Sequence, residues 1–197
     1  MTAASLSRPL VSLALPEGVV ARRLAEIALV VAGTLVLALS AKAKVILGPV
    51  DLSLQTLAVL GIGATFGLRL GVATLALYLI EGAMGFPVFQ STPEKGIGVA
   101  YMMGATGGFL IGFLVMAAIV GWAADRGWDR SVLKLGAAMV LAEIVMMAMG
   151  FAWLAGIIGA EKAWAFGVAP FIIPDMVKVA LASMVVPAVW ALLPARR

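Results

Sequence analysis

Histidine and cysteine are both absent from this chain of 197 residues. Without histidine there is no side chain whose ordinary titration falls near neutral pH. Without cysteine there is no thiol nucleophile and no disulfide. Together the two absences remove the usual zinc site. Asp and Glu total only 10 and are scattered, so a carboxylate-held metal centre is not expected, and hydrolytic chemistry would be left with a Ser/Lys dyad. No Gly-x-x-x-x-Gly-Lys-Ser/Thr phosphate loop occurs, so the chain is not expected to hydrolyse ATP. We therefore expect no enzyme, no metal and no cofactor.

Charge is scarce as well. Asp, Glu, Lys and Arg make up 12% of the chain, against about 25% in soluble domains. What is abundant is hydrocarbon: 63% hydrophobic residues and a mean hydropathy of +1.13. The apolar runs are continuous, whereas a membrane barrel alternates apolar and polar positions. At about 20 residues per crossing the length allows roughly five to seven helices. The reading is an all-α polytopic membrane protein with six spans, at 24–41, 52–66, 70–84, 101–123, 132–154 and 170–193. Residues 1–20 read as a cytoplasmic tail or surface segment, since 1–18 lacks a compact apolar region followed by a small-residue cleavage site. Residues 24–193 read as one bundle. No internal repeat of the kind that marks many carriers is visible, so 1–197 is taken as a single membrane domain.

The net charge of +4 and pI near 9.8 do not point to nucleic acid, because the basic residues cluster at span ends. With six spans and the N-terminus inside, Arg8, Arg22, Arg23, Arg69, Arg126, Arg130, Lys134, Arg196 and Arg197 fall on the inner side. Only Lys42, Lys44, Lys95 and Lys162 fall outside. The positive-inside rule then places both termini in the cytoplasm. The long polar loop 85–100, the loop 155–169 and the start of span six share the outer face.

The most informative polar feature lies in that last span. Asp175 and Lys178 sit one helical turn apart in Phe171-Ile172-Ile173-Pro174-Asp175-Met176-Val177-Lys178. Ionisable groups in a membrane span are costly and generally functional. At i and i+3 they project from one helix face, offering acceptor oxygens beside a cationic donor. Pro174 suits a helix start, and a carboxylate there suits the helix dipole. A helix start does not explain Lys178. A structural ion pair joining two helices is the plain alternative. Gln55, at the outer end of span two, can donate and accept, and Gln90 and Ser91 lie in the outer loop. Glu81 reads as a rim charge. Glu143 lies deep in span five with no cationic partner in sequence, hydrogen-bonded within the bundle or neutral.

Gly63, Gly67 and Gly71, and Gly104, Gly108 and Gly112, recur at four-residue spacing. That spacing lets helix backbones approach closely in lipid. Ala21, Ala25, Ala28 and Ala32 mark span one, as a packing stripe or as a docking face for another membrane subunit. Trp122, Trp128, Trp153 and Trp164 sit near span ends, where an interfacial belt would put them.

Several segments together resemble the BioY family of biotin transporters. They are Leu54-Gln55-Thr56-Leu57-Ala58-Val59, Gly67-Leu68-Arg69-Leu70-Gly71, Gly85-Phe86-Pro87-Val88-Phe89, Gly104-Ala105-Thr106-Gly107-Gly108-Phe109-Leu110-Ile111-Gly112-Phe113 and Ile173-Pro174-Asp175-Met176-Val177-Lys178. The likeness is collinear from about residue 52 to residue 182. Ala105 stands where the family pattern has Pro, and the 90–96 loop is less glycine-rich than is usual. The resemblance implies a six-helix substrate-capture (S) component of an energy-coupling-factor transporter in the bacterial cytoplasmic membrane. It implies biotin as ligand, and a coupling transmembrane subunit and two ABC-type ATPases as partners. Dependence on those partners, and a homo-oligomer, are left open. It also implies that Asp175 and Lys178 bind ligand, with Gln90 or Ser91 contributing. Phe86, Phe89 and Tyr101 are then expected to clasp biotin's rings. Asp175 can accept from the ureido N–H, and Lys178 can donate to the ureido carbonyl or pair with the carboxylate. Two rival readings are a self-sufficient secondary carrier for biotin or another small vitamin, ion-coupled through Glu143 or Asp175, and a non-transport membrane scaffold.

Overall fold

The computed structural model describes residues 9–47 and 50–193. Along the chain run α1 (Val19–Lys42), β1 (Lys44–Leu47), β2 (Val50–Ser53), α2 (Gln55–Ala83), α3 (Gly98–Met102), α4 (Gly107–Ala124), α5 (Val132–Ile158), α6 (Ala160–Ala163) and α7 (Ile172–Leu192). Of these, α1, α2, α4, α5 and α7 are long and apolar enough to cross a membrane. Their apolar side chains point both ways. Leu37, Leu60, Leu75, Met116, Leu135 and Met139 are fully buried, while Leu35, Leu39, Ile80, Leu141, Ile144 and Ile173 are exposed. Helices that are hydrophobic all round belong in lipid.

The chain folds back within α2. Gly67 takes φ +75° and ψ −177°, a conformation only glycine adopts without strain. The two arms then lie against each other: a Cβ on Gly71 would sit 3.5 Å from the Cα of Gly63. The Gln55 amide donates to the Tyr78 hydroxyl at 3.0 Å, whereas an unbroken helix would hold these residues about 34 Å apart. At the corner a Cβ on Gly67 would collide with the Asp125 carboxylate and approach Pro9, and Asp125 itself accepts from the Leu68 N–H at 3.2 Å. Burial pushes the Asp125 carboxyl up from its usual range, opposed by that backbone hydrogen bond. Gly67→Ala is accordingly expected to destabilise the fold by about 1–3 kcal/mol, read as a lowered melting temperature in detergent.

The four-residue glycine series packs the interior. Gly63 faces Val120, Gly121 faces the Leu68 backbone, and Gly108 and Gly112 face Trp153 and Met146. These contacts bind α4 between α2 and α5. Gly104 lies outside the helices, and its carbonyl accepts from the Trp153 indole at 2.8 Å. On α1, Ala21, Ala28 and Ala32 are exposed.

Three segments depart from the sequence reading. Residues 44–47 and 50–53 pair as the two antiparallel strands of a hairpin, Lys44 opposite Ser53 and Leu47 opposite Val50, so the described residues are helical with one small β element and α2 starts at Gln55. Valine and isoleucine favour the extended form where no helical neighbour competes. The span expected from residue 101 is split. Tyr101 belongs to the short α3, and α4 starts only at Gly107, where a Cβ would collide with the Met102 carbonyl. The expected loop 155–169 is largely helical, with α5 running to Ile158 and a π-turn at Trp164–Val168. Glu81, half-buried near the end of α2, accepts from Thr34 of α1 at 3.0 Å, so the expected rim charge also ties α1 to α2.

Charged groups collect at opposite ends of the bundle. At one end Glu26 bridges Arg22 and Arg69 (3.2 and 3.0 Å), and the Trp190 indole donates to Asp129 at 2.6 Å. At the other, Lys42, Lys44 and Lys95 gather around the hairpin and the loop after residue 88. Arg8, Arg196 and Arg197, counted above on the inner side, lie outside the described residues, as do Gly48 and Pro49.

Candidate functional site

A cavity of about 440 Å³ opens at the lysine-bearing end, between α4, α5, α7 and the outer loops. Its wall is mostly apolar, with Phe109, Phe113, Met146, Met147 and Phe171, and it holds the Asp175–Lys178 pair. Polar groups from the hairpin and the loop, Asp51, Gln90, Ser91 and Lys95, form its rim. This is the usual pattern of a small-molecule site, an apolar cleft with a few placed polar groups.

The two charges are held by the start of α7. Pro174 occupies its first turn, where a missing N–H is harmless, and the Asp175 N–H closes onto the Phe171 carbonyl at 2.8 Å. The Lys178 ammonium lies 2.7 Å from Asp175 Oδ1. Asp175 is 1% and Lys178 8% exposed. Both partners lie on one helix, so the pair does not join two helices, as the plain structural alternative required. One ammonium hydrogen is used by Asp175, which leaves donors for a ligand.

The rim is tied together by Asp51 of β2. Its carboxylate accepts from Ser91 at 2.8 Å and from Lys44 at 3.0 Å, with Lys95 at 3.6 Å. The Ser91 hydrogen bond, then the one from Lys44, hold the Asp51 carboxyl below its usual range. A carboxylate with a depressed folded pKa contributes above its unfolded value and loses that contribution as pH falls through the folded one. The tie is thus intact at neutral pH and released on acidification. Asp51→Asn is expected to raise hydrogen exchange two- to tenfold in 44–53 and 89–95 (about 0.5–1.5 kcal/mol), with the helix cores unchanged. Lys42 reinforces the same loop, donating to the carbonyls of Phe89 and Thr92.

The expected site residues separate into two groups. Asp175, Lys178, Gln55, Gln90, Ser91 and Tyr101 all line the cavity. Gln90 also donates to the Asp51 carbonyl at 2.8 Å, and Tyr101 donates to the Gln90 carbonyl at 2.6 Å. Burial pushes the Tyr101 phenol up, so it stays a donor. Phe89 is not on the wall, and the expectation that it clasps a ligand ring is corrected. It is fully buried behind Tyr101, stacked on it at 5.3 Å and edge-on to Tyr78 at 5.3 Å. Phe86 is exposed and outside the cavity. The aromatic wall comes from Phe109, Phe113 and Phe171 instead. Glu143 of α5 lies with Asp175 on the wall of a second cavity, and no donor among the described residues reaches either of its oxygens.

The family model of the BioY family matches residues 11–195. The chain belongs to the BioY family. It is 36% identical over 160 residues to the probable biotin transporter BioY of Pyrococcus horikoshii, covering 81% of this chain and 93% of that one. To the biotin transporter BioY of Thermotoga maritima it is 32% identical over 140 residues, covering 71% and 80%. The crystal structure of the S-component for biotin from an ECF-type ABC transporter shares the fold, with a TM-score of 0.72 at 18% identity, covering 86% of this chain and 92% of that one.

In this BioY chain, sequence reasoning missed Asp51, Lys95 and Thr56 on the cavity. Asp51 carried a weak signal, as the one acidic residue between Glu26 and Glu81. Thr56 carried one too, as the neighbour of Gln55 in the Leu54-Gln55-Thr56 segment.

Proposed function

We propose that this chain captures biotin from the outer face of the cytoplasmic membrane of a bacterium and serves its uptake as the substrate-specific component of an energy-coupling-factor transporter. One observation carries this: a buried carboxylate and ammonium, side by side on the wall of an apolar cavity among membrane-crossing helices. Biotin's fused rings and alkyl chain suit the Phe109, Phe113 and Met146 wall. Its ureido N–H groups suit Asp175, and Lys178 retains donors for the ureido carbonyl or the carboxylate. Gln55, Gln90, Ser91 and Tyr101 are further contacts. Wrong ligands that leave one such buried group unpaired lose about 1–3 kcal/mol.

The chain forms one membrane domain. Each arm of α2 crosses the membrane separately, so there are six crossings with both termini in the cytoplasm and the cavity outside. The segregation of Arg22, Arg69, Arg126 and Arg130 to one end supports this. A coupling transmembrane subunit and two ABC-type ATPases supply the energy. The exposed alanines of α1 suit close approach of the coupling subunit's helices.

The deciding experiment is calorimetric titration of the purified protein with biotin, with mass spectrometry of the gently purified protein for bound biotin and partner subunits. Saturable binding supports the reading. Its absence in protein freed of bound ligand overturns it.

A further inference from the structure

Glu143 is a buried charge-bearing residue that the proposed site does not use. It projects from the middle of α5, is 3% exposed, and neither oxygen meets a donor among the described residues. An unpaired ionised carboxylate in such a place is severely disfavoured. The groups around it are few. Asp175 of the packed helix α7 shares a cavity wall with it, and the nearest cation to Asp175 is Lys178 at 2.7 Å. Helix α4 carries no titratable residue along its length, and the π-turn presents Trp164 and Val168. Next to the ligand cavity, sharing Met147 and Asp175 with it, lies a second cavity of about 460 Å³, lined also by Ile144, Phe151, Trp164, Ile172 and Met176, with Glu143 at its wall. Its lining is otherwise apolar but for the Trp164 indole, and no donor among the described residues reaches the Glu143 oxygens.

Two buried carboxyl groups therefore share one cavity wall with a single ammonium at hand, and that ammonium already contacts Asp175 at 2.7 Å. Two carboxylates cannot bond to one another unless one carries a proton. A second ionised carboxylate here would also give the site a net negative charge, which repels an anionic ligand.

We propose that Glu143 is a positioning residue of the ligand site, which donates a carboxyl proton to Asp175 and so holds that carboxylate against Lys178 and toward the cavity. This rests on the reading of Asp175 and Lys178 as ligand-binding groups. Glu143 itself does not line the ligand cavity and acts through Asp175. The site then sums to zero charge when empty, and an arriving carboxylate meets one ammonium and one carboxylate instead of two carboxylates.

Infrared difference spectroscopy of the intact wild-type protein against Glu143→Gln tests the proton directly. A protonated-carboxyl C=O band present at neutral pH and lost in the variant is the expected result. Biotin titration tests the positioning. Glu143→Gln, whose amide can still donate, is expected to bind within about threefold of wild type, and Glu143→Leu about tenfold or more weakly, the loss of one charge-assisted hydrogen bond. No such band, Gln binding as weakly as Leu, or Leu binding as tightly as wild type would each overturn the proposal. The infrared result stands even where the Leu variant does not fold. If instead Asp175→Asn binds biotin as wild type does, the site reading fails, and the infrared band still judges the Glu143 proton separately.

Discussion

Asp175→Asn is expected to weaken biotin binding by about ten- to a hundredfold or more while leaving the helices formed. An amide keeps the shape of the carboxylate but loses its charge, and a hydrogen bond to a charged acceptor is worth about 1.5–3 kcal/mol. The substitution also deprives the Lys178 ammonium of the counter-charge it meets at 2.7 Å. Lys178→Ala acts in the opposite sense and costs more in stability. It leaves Asp175, 1% exposed, facing Glu143 with no cation near. Removing one member of a buried pair typically costs about 3–5 kcal/mol. The double variant removes both charges and is expected to unfold at a higher temperature than Lys178→Ala alone, because no unbalanced carboxylate remains. Calorimetric titration reads the first effect and thermal unfolding in detergent the second. A dissociation constant for Asp175→Asn within twofold of wild type would remove this pair from the site.

The same pair illustrates what the sequence makes legible. Asp175 and Lys178 stand out because a membrane span tolerates so few charges, and their i, i+3 spacing alone puts them on one face. The spans were legible for the same reason, as runs of hydrocarbon long enough to cross. The corner between the second and third was marked by Gly67 and Arg69, although the backbone there stays helical up to a single glycine. Less could be read where short-range pattern does not decide. Residues 44–53 contain too few positions for a period, and whether Val45 and Ile46 continue a helix or form a strand depends on what packs beside them. Phe89 and Phe109 are indistinguishable as letters. One plugs the layer behind the rim and the other lines the cavity, because Gly82 makes room for the first and α4 carries the second past the ligand space. Glu143 announced itself as an anomaly, but its partner, Asp175, lies 32 residues away along the chain and is brought to it only by α5 packing on α7.

Gly82→Ala is expected to weaken biotin binding by about five- to a hundredfold without touching any ligand-lining residue. The Phe89 ring lies directly over Gly82, and a Cβ there would run into the ring carbons. The ring has little room to yield, since it stacks on Tyr101 and abuts the edge of Tyr78, both at 5.3 Å. Overpacking a site of this kind costs about 1–3 kcal/mol. The displacement passes to the rim by hydrogen bonds. Tyr101 holds the Gln90 carbonyl and Gln90 holds the Asp51 carbonyl, while Tyr78 holds the Val88 carbonyl and receives the Gln55 amide. Four groups proposed to meet the ligand or frame its opening thus depend on where one ring sits. Gly61 in the same helix supplies the control. Nothing lies within 4 Å of a Cβ there, so Gly61→Ala should leave binding unchanged and, by helix propensity alone, add up to about 1 kcal/mol of stability. A smaller side chain at residue 89 should relieve the clash, so Gly82→Ala combined with Phe89→Leu is expected to recover part of the lost affinity in a biotin titration. If Gly82→Ala and Gly61→Ala behave alike, the Phe89 layer does not position the rim.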